Sequence, residues 1–90
     1  MTNQELKTEA LQELKSLLTE LQSKENCHLV VETYKDGIQA HIVCNNEISS
    51  RKVIVGTISG DVLSSNGLNK SSKESDLIMI AEEVFTTQDQ

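Results

Sequence analysis

The stretch "YKDGIQAHIVC", residues 34–44, holds one of the chain's two histidines and one of its two cysteines; the other pair, Cys27 and His28, lies just upstream. Two Cys and two His are the donor set of a tetrahedral zinc site, so metal or redox chemistry would reside here. Asp36-Gly37 between two apolar-alternating runs is a hairpin signal, because its two-residue turn needs positive φ at both central positions. With those residues at the centre, Lys35 pairs with Ile38, Thr33 with Ala40, Val31 with Ile42 and Leu29 with Cys44. Alternation then sends Cys27, Leu29, Val31, Thr33, Ile38, Ala40, Ile42 and Cys44 to one face. His28, Val30, Glu32, Tyr34, Gln39, His41, Val43 and Asn45 go to the other. Sulfur and imidazole project to opposite sides, four ligands cannot converge, and no metal or other cofactor is expected.

In the same register Cys27 and Cys44 are diagonal neighbours at a separation on the order of 7 Å, near the upper limit for a disulfide. They are expected to be free thiols, buried as small hydrophobes. A nucleophilic thiol needs an adjacent base, and both histidines face away. His41 falls opposite Glu32 and reads as half of a cross-strand ion pair. Residues 55–60, VGTISG, and Asn66-Gly67 lack the spacing of a phosphate-binding loop. Glu82-Glu83 lie on the solvated side of a helix, and the Ser-rich segment has no histidine near it. No catalytic constellation remains, so the chain is not expected to be an enzyme.

The elements around this hairpin follow from capping and periodicity. Thr2-Asn3-Gln4-Glu5 has the form of a capping box and starts a helix. Leu6, Ala10, Leu11, Leu14, Leu17, Leu18 and Leu21 share an arc of about 140°, the width of a core-facing stripe. The 3-4-3 spacing of Leu11, Leu14, Leu18 and Leu21 also fits a coiled-coil seam, but two heptads are too few for one. Ser23 to Asn26 ends the helix, with Asn26 suited to a left-handed cap. Residues 45–50 are read as a turn and 51–58 as a third strand, apolar on both faces through Val53, Ile54, Val55 and Ile58. Such a strand wants a second covering surface, which a partner subunit would supply. Residues 59–72 are read as a loop, with at most a short strand at Val62-Leu63. Ser71-Ser72-Lys73-Glu74 forms a second capping box, and the helix after it places Leu77, Ile78, Ile80, Ala81, Val84 and Phe85 in an arc of about 160°. Residues 86–90 should fray. The expected architecture is α+β, a single domain over residues 1–90: a two-layer α-β-β-β-α arrangement with a three-stranded antiparallel meander, a long N-terminal helix and a C-terminal helix.

Eight basic side chains against fourteen acidic ones give a net charge of −6, which favours solubility and weighs against nonspecific polyanion binding. The charge is uneven: −3 over residues 1–34, +1 over 35–70 and −4 over 71–90. The polar N-terminus has no secretory h-region and no run reaches a membrane span, so the chain reads as soluble and cytoplasmic. At this size a monomer is marginal and self-association is a reasonable prior.

The order of elements resembles the YbaB/EbfC family of nucleoid-associated proteins over nearly the full chain. The likeness is carried by the long leading helix, LQSKENCHLVVETYKDG as first strand and turn, IQAHIVCNNEISSRKVIV as the next hairpin, and SDLIMIAEEVF as closing helix. That resemblance implies a homodimer gripping double-stranded DNA at low sequence specificity. The cations matching such a role here are Arg51 and Lys52 at the start of the third strand, and Lys7, Lys15 and Lys24 on the first helix. Lys24 also has a helix partner four residues back in Glu20. The other expectation is an acidic protein-binding adaptor or inhibitor, of the kind carried by mobile elements, offering Glu74, Asp76, Glu82 and Glu83 to a basic partner.

Overall fold

The computed structural model describes residues 2–86, without the side chains at 49 and 50; of the fraying expected over 86–90, all but residue 86 lies outside the described residues. Helix α1 spans Asn3–Leu21, strands β1 to β4 span Cys27–Thr33, Asp36–Cys44, Glu47–Thr57 and Ser64–Leu68, and helix α2 spans Glu74–Val84. The fold is α+β, with one antiparallel sheet in the order β3-β2-β1-β4 and both helices packed on one side of it.

The capping box starts α1 as expected. The Glu5 N–H donates to Thr2 Oγ1 at 3.1 Å, and Glu5 Oε1 accepts from the Thr2 N–H at 2.9 Å. The latter bond, followed by the Thr2 hydroxyl, holds the Glu5 carboxyl below its ordinary value. A carboxyl whose folded pKa is lowered stabilises the fold above its unfolded pKa, and that contribution fades as pH falls through the folded value. Thr2→Ala removes the Oγ1 that accepts from the Glu5 N–H, and loss of such a cap should cost about 1 kcal/mol. Because alanine keeps the backbone N–H that lowers Glu5 most, only the hydroxyl's smaller share of that cost should fade as pH falls below the ordinary glutamate value of 4.5, as read by urea titrations at several pH values.

Ala10, Leu14, Leu17 and Leu21 of α1 are fully buried, with Leu6, Leu11 and Leu18 flanking them half-buried. This is the single broad stripe of a helix on a sheet, not a coiled-coil seam. Asn26 is left-handed, at φ 59°, but it does not cap α1, which ends at Leu21 with Gln22 as its cap; it stands immediately before β1. Leu77, Ile80, Ala81 and Phe85 bury the facing side of α2. Lys7 Nζ meets Glu82 at 2.9 Å and Lys15 Nζ meets Glu74 at 2.6 Å, so α1 and α2 run antiparallel. The two serines before α2 do not cap it. Ser72 Oγ accepts from the Asn69 N–H, and Asp76 accepts from the Lys73 N–H at 2.8 Å, because α2 begins at Glu74 and the serines belong to the preceding turn.

The first hairpin departs from the expected register. Thr33 pairs with Ile38, Val31 with Ala40, Leu29 with Ile42 and Cys27 with Cys44, a slide of two residues. The turn centres on Lys35-Asp36, closed by the Tyr34 N–H donating to the Gly37 carbonyl at 2.7 Å. Gly37 is no left-handed turn residue; positive φ among the described glycines is confined to Gly56 and Gly60. Gly37 is a strand residue opposite Gly56, where any β-carbon would collide with the Thr57 backbone. The primed turn lies at the second hairpin instead. Asn45 and Asn46 have φ of 52° and 67°, positions that Asn tolerates better than other side chains. The loop expected over 45–50 is thus only these two residues, and β3 starts at Glu47 and stops at Thr57, before Ile58.

A slide of two preserves side-chain parity, so the expected faces survive while the cross-strand partners change. Tyr34, placed on the outer face by alternation, leaves the strand at the turn and is buried. The meander of three strands gains a fourth. Residues 64–68, SSNGL, pair with the free edge of β1, with Leu68 opposite Leu29 and Ser64 opposite Thr33. The Thr33 and Ser64 hydroxyls hydrogen-bond at 2.6 Å, and the Leu63 N–H donates to the Thr33 carbonyl at 2.8 Å. Polar residues with poor strand propensity form this strand because β1's edge groups gain backbone partners there and Leu68 is buried in the core.

Candidate functional site

The opening stretch holds a cross-link. Cys27 and Cys44, brought face to face by the slid register, form a disulfide with Cα atoms 4.1 Å apart, which replaces the free thiols expected from the sequence. Bonded sulfur is neither a zinc ligand nor a nucleophile. His28 and His41 lie on the opposite, helix-free face, and no group of three or more His, Cys, Asp or Glu converges among the described residues. His41 does not meet Glu32: it sits opposite Val30 on β1 and Lys52 on β3. Glu32 instead accepts from Gln39 Nε2 at 2.9 Å.

The cations matched to a DNA-binding role are not gathered into one patch. Lys7 and Lys15 are tied to Glu82 and Glu74 of α2. Glu20 holds Lys24 at 3.9 Å, as its spacing foretold, and also Arg51 Nε at 3.3 Å, while Arg51 Nη2 donates to Ser16 Oγ at 2.9 Å. Neighbouring strand residues point to opposite faces. Arg51 therefore turns to α1, and Lys52 to the open face beside His41. The acidic set is divided too: Glu74 and Glu82 are in the ion pairs just named, Asp76 caps α2, and Glu83 is exposed. Exposed pairs such as these contribute about 0.2–1 kcal/mol each, enough to bias side-chain position and little more.

Two features remain as contact surfaces. One is the sheet face without helices, where Val30, Val43 and His41 are half-buried and Ile48 and Ile54 are 67% and 49% exposed. The apolar outer face expected of the third strand is present there, on an edge strand. The other is an open cleft of about 620 Å³ between the start of α1, the end of α2 and the ends of β2 and β3. Leu6, Glu9, Asp36, Ile54 and Phe85 are among the residues that line it. Sequence patterning had no means of finding that Glu9 and Asp36 line one cleft, since helix and hairpin periodicity place each on its own element only. No helix among the described residues is long and apolar enough to cross a membrane. Compared with protein-family models, with curated proteins and with solved structures, the chain finds no match.

Proposed function

We propose that this chain is a non-enzymatic protein-binding module whose partner is basic. The observation that carries the reading is the internal use of its cations: four of the eight, Lys7, Lys15, Lys24 and Arg51, are already in ion pairs with Glu82, Glu74 and Glu20. A phosphate backbone would have to displace a carboxylate at each of them, against a net charge of −6. The acidic excess, by contrast, remains available to a cationic partner. The homodimeric, nucleoid-type reading implied by the YbaB/EbfC resemblance is retained as the second one, on the exposed Lys52 beside His41 on an open sheet face. The disulfide supports an oxidising compartment, where such bonds persist, over the cytoplasmic one expected from the sequence.

A pair of anisotropy titrations over a range of salt separates the readings, one with labelled oligolysine and one with a labelled random-sequence duplex. Oligolysine should bind with an affinity that falls as salt rises, and the duplex should not bind at micromolar protein. Duplex binding whose log K falls by about 0.9 per phosphate neutralised, and which is abolished by Arg51→Glu with Lys52→Glu, would reverse the order.

A further inference from the structure

We propose that β3 takes up an extended, arginine- or lysine-bearing segment of a partner protein as a fifth strand, with a cationic side chain seated in the cleft between Glu9 and Asp36. This rests on the protein-binding reading and gives it a site. β3 is the longest strand, at eleven residues, and lies at the sheet's edge with no strand on its outer side among the described residues. An unpaired edge presents a row of backbone donors and acceptors, and adding a strand is a recurrent way of recognising extended peptides.

Helix α1 flanks that edge along its length. Ser16 and Glu20 reach Arg51 near the middle of β3, and Leu6 and Glu9 share the cleft with Ile54, Gly56 and Thr57 near its end. An incoming strand would therefore lie on a shelf, with its backbone on β3 and alternate side chains turned toward α1 or toward the open face. The cleft is lined by two acidic residues, Glu9, half-buried, and Asp36, exposed, neither paired with a cation among the described residues. What sets these two apart from the other unpaired carboxylates is position: both line the cleft at the end of β3. On the open side Ile48 and Ile54 offer apolar contact. The matching segment alternates a cation on one face with β-branched apolar residues on the other. A second copy of this chain fits less well: antiparallel pairing of two β3 strands about their middle sets Arg51 or Lys52 against its own counterpart, like charge on like charge.

The probe is a fluorescein-labelled peptide with valines on one face and threonines and arginines on the other. Its controls are a twin with glutamates for arginines and a twin N-methylated on the amides that would face β3. The arginine peptide should bind and both twins should fail. Glu9→Lys with Asp36→Lys should weaken binding about tenfold or more, Glu9→Gln by less, with unchanged circular dichroism. Amide shifts should map to residues 51–57 and 3–9. If the arginine peptide binds with shifts on α2 around 74–83, or indifferently to N-methylation, strand addition is overturned and the protein-binding reading stands. If oligolysine and the arginine peptide both fail, both ideas fall. A dimer by light scattering with β3 amides protected in the absence of peptide would show that a second copy holds the edge, which also overturns the proposal.

Discussion

Replacing Phe85 with alanine should lower the unfolding free energy by about 4 kcal/mol, and Tm by roughly 20 °C. Phe85 is the largest of the fully buried side chains, with 1% of its surface exposed, and its N–H bonds to the Ala81 carbonyl as α2 terminates. Its ring lies over Gly56, whose position would bring a β-carbon to 3.1 Å from the ring's Cζ. Gly56 is paired across the ladder with Gly37, and backbone atoms of Asp36 and Thr57 already fill the space where their side chains would be. Two facing glycines offer no side chain that could swing into the void left by the ring. The site cannot collapse, so both the lost burial and the cavity are felt in full. Phe85→Leu should cost less than half as much. Guanidinium titrations of the three proteins measure this, and a loss under about 1 kcal/mol for Phe85→Ala would mean the ring is not a core element.

Removing the cross-link is the second large effect. Cys27→Ser with Cys44→Ser, or reduction of the wild type, should destabilise the protein by about 3 kcal/mol, with Tm lower by roughly 15 °C. The loop it closes spans a sequence separation of 17 and contains the whole first hairpin. Its removal frees the open ends of β1 and β2 in the unfolded chain, while the Asn45 N–H bond to the Asn26 carbonyl at 3.2 Å still links the neighbouring turns in the folded one. The loss therefore comes chiefly from greater unfolded-state freedom. Thermal scans with and without reductant, with thiols counted by alkylation and mass, provide the measurement. Equal Tm values with fully reduced thiols would show that the bond does not constrain the chain.

The faces and the partners in this hairpin were not equally legible. Assigning Cys27, Leu29, Val31, Ile38, Ala40, Ile42 and Cys44 to the core side needed only alternation, which a slide of two residues leaves intact. Finding that Cys27 meets Cys44 needed the absolute register. That register depends on which two residues make the turn. Asp36-Gly37 looked like the turn because Gly is the usual residue at positive φ, but its glycine was required for a different reason, the close approach of β3 at Gly56 and Thr57. Conversely, Asn45-Asn46 carried the primed turn without any glycine. Local sequence cannot distinguish a glycine needed for its φ from one needed for its missing side chain.

The candidate site was less legible than the fold. Lys24 with Glu20 was readable because both lie on one helix. The pairs of Lys7, Lys15 and Arg51 join separate elements, and their effect on the surface was invisible until α1 was laid against α2 and β3. The cleft at Glu9 and Asp36 has the same origin.

By itself the sequence determined the two helices with their buried stripes, the cap at Thr2, the α+β class and the inward and outward sides of the first hairpin, because each follows from backbone period and nearest-neighbour chemistry. The tertiary structure alone decided the hairpin register and hence the disulfide, the fourth strand along β1, the neutralisation of half the cations and the exposure of β3 at the sheet's edge. Those depend on which distant surfaces come into contact, and contact across long sequence separations is set by packing of the whole core.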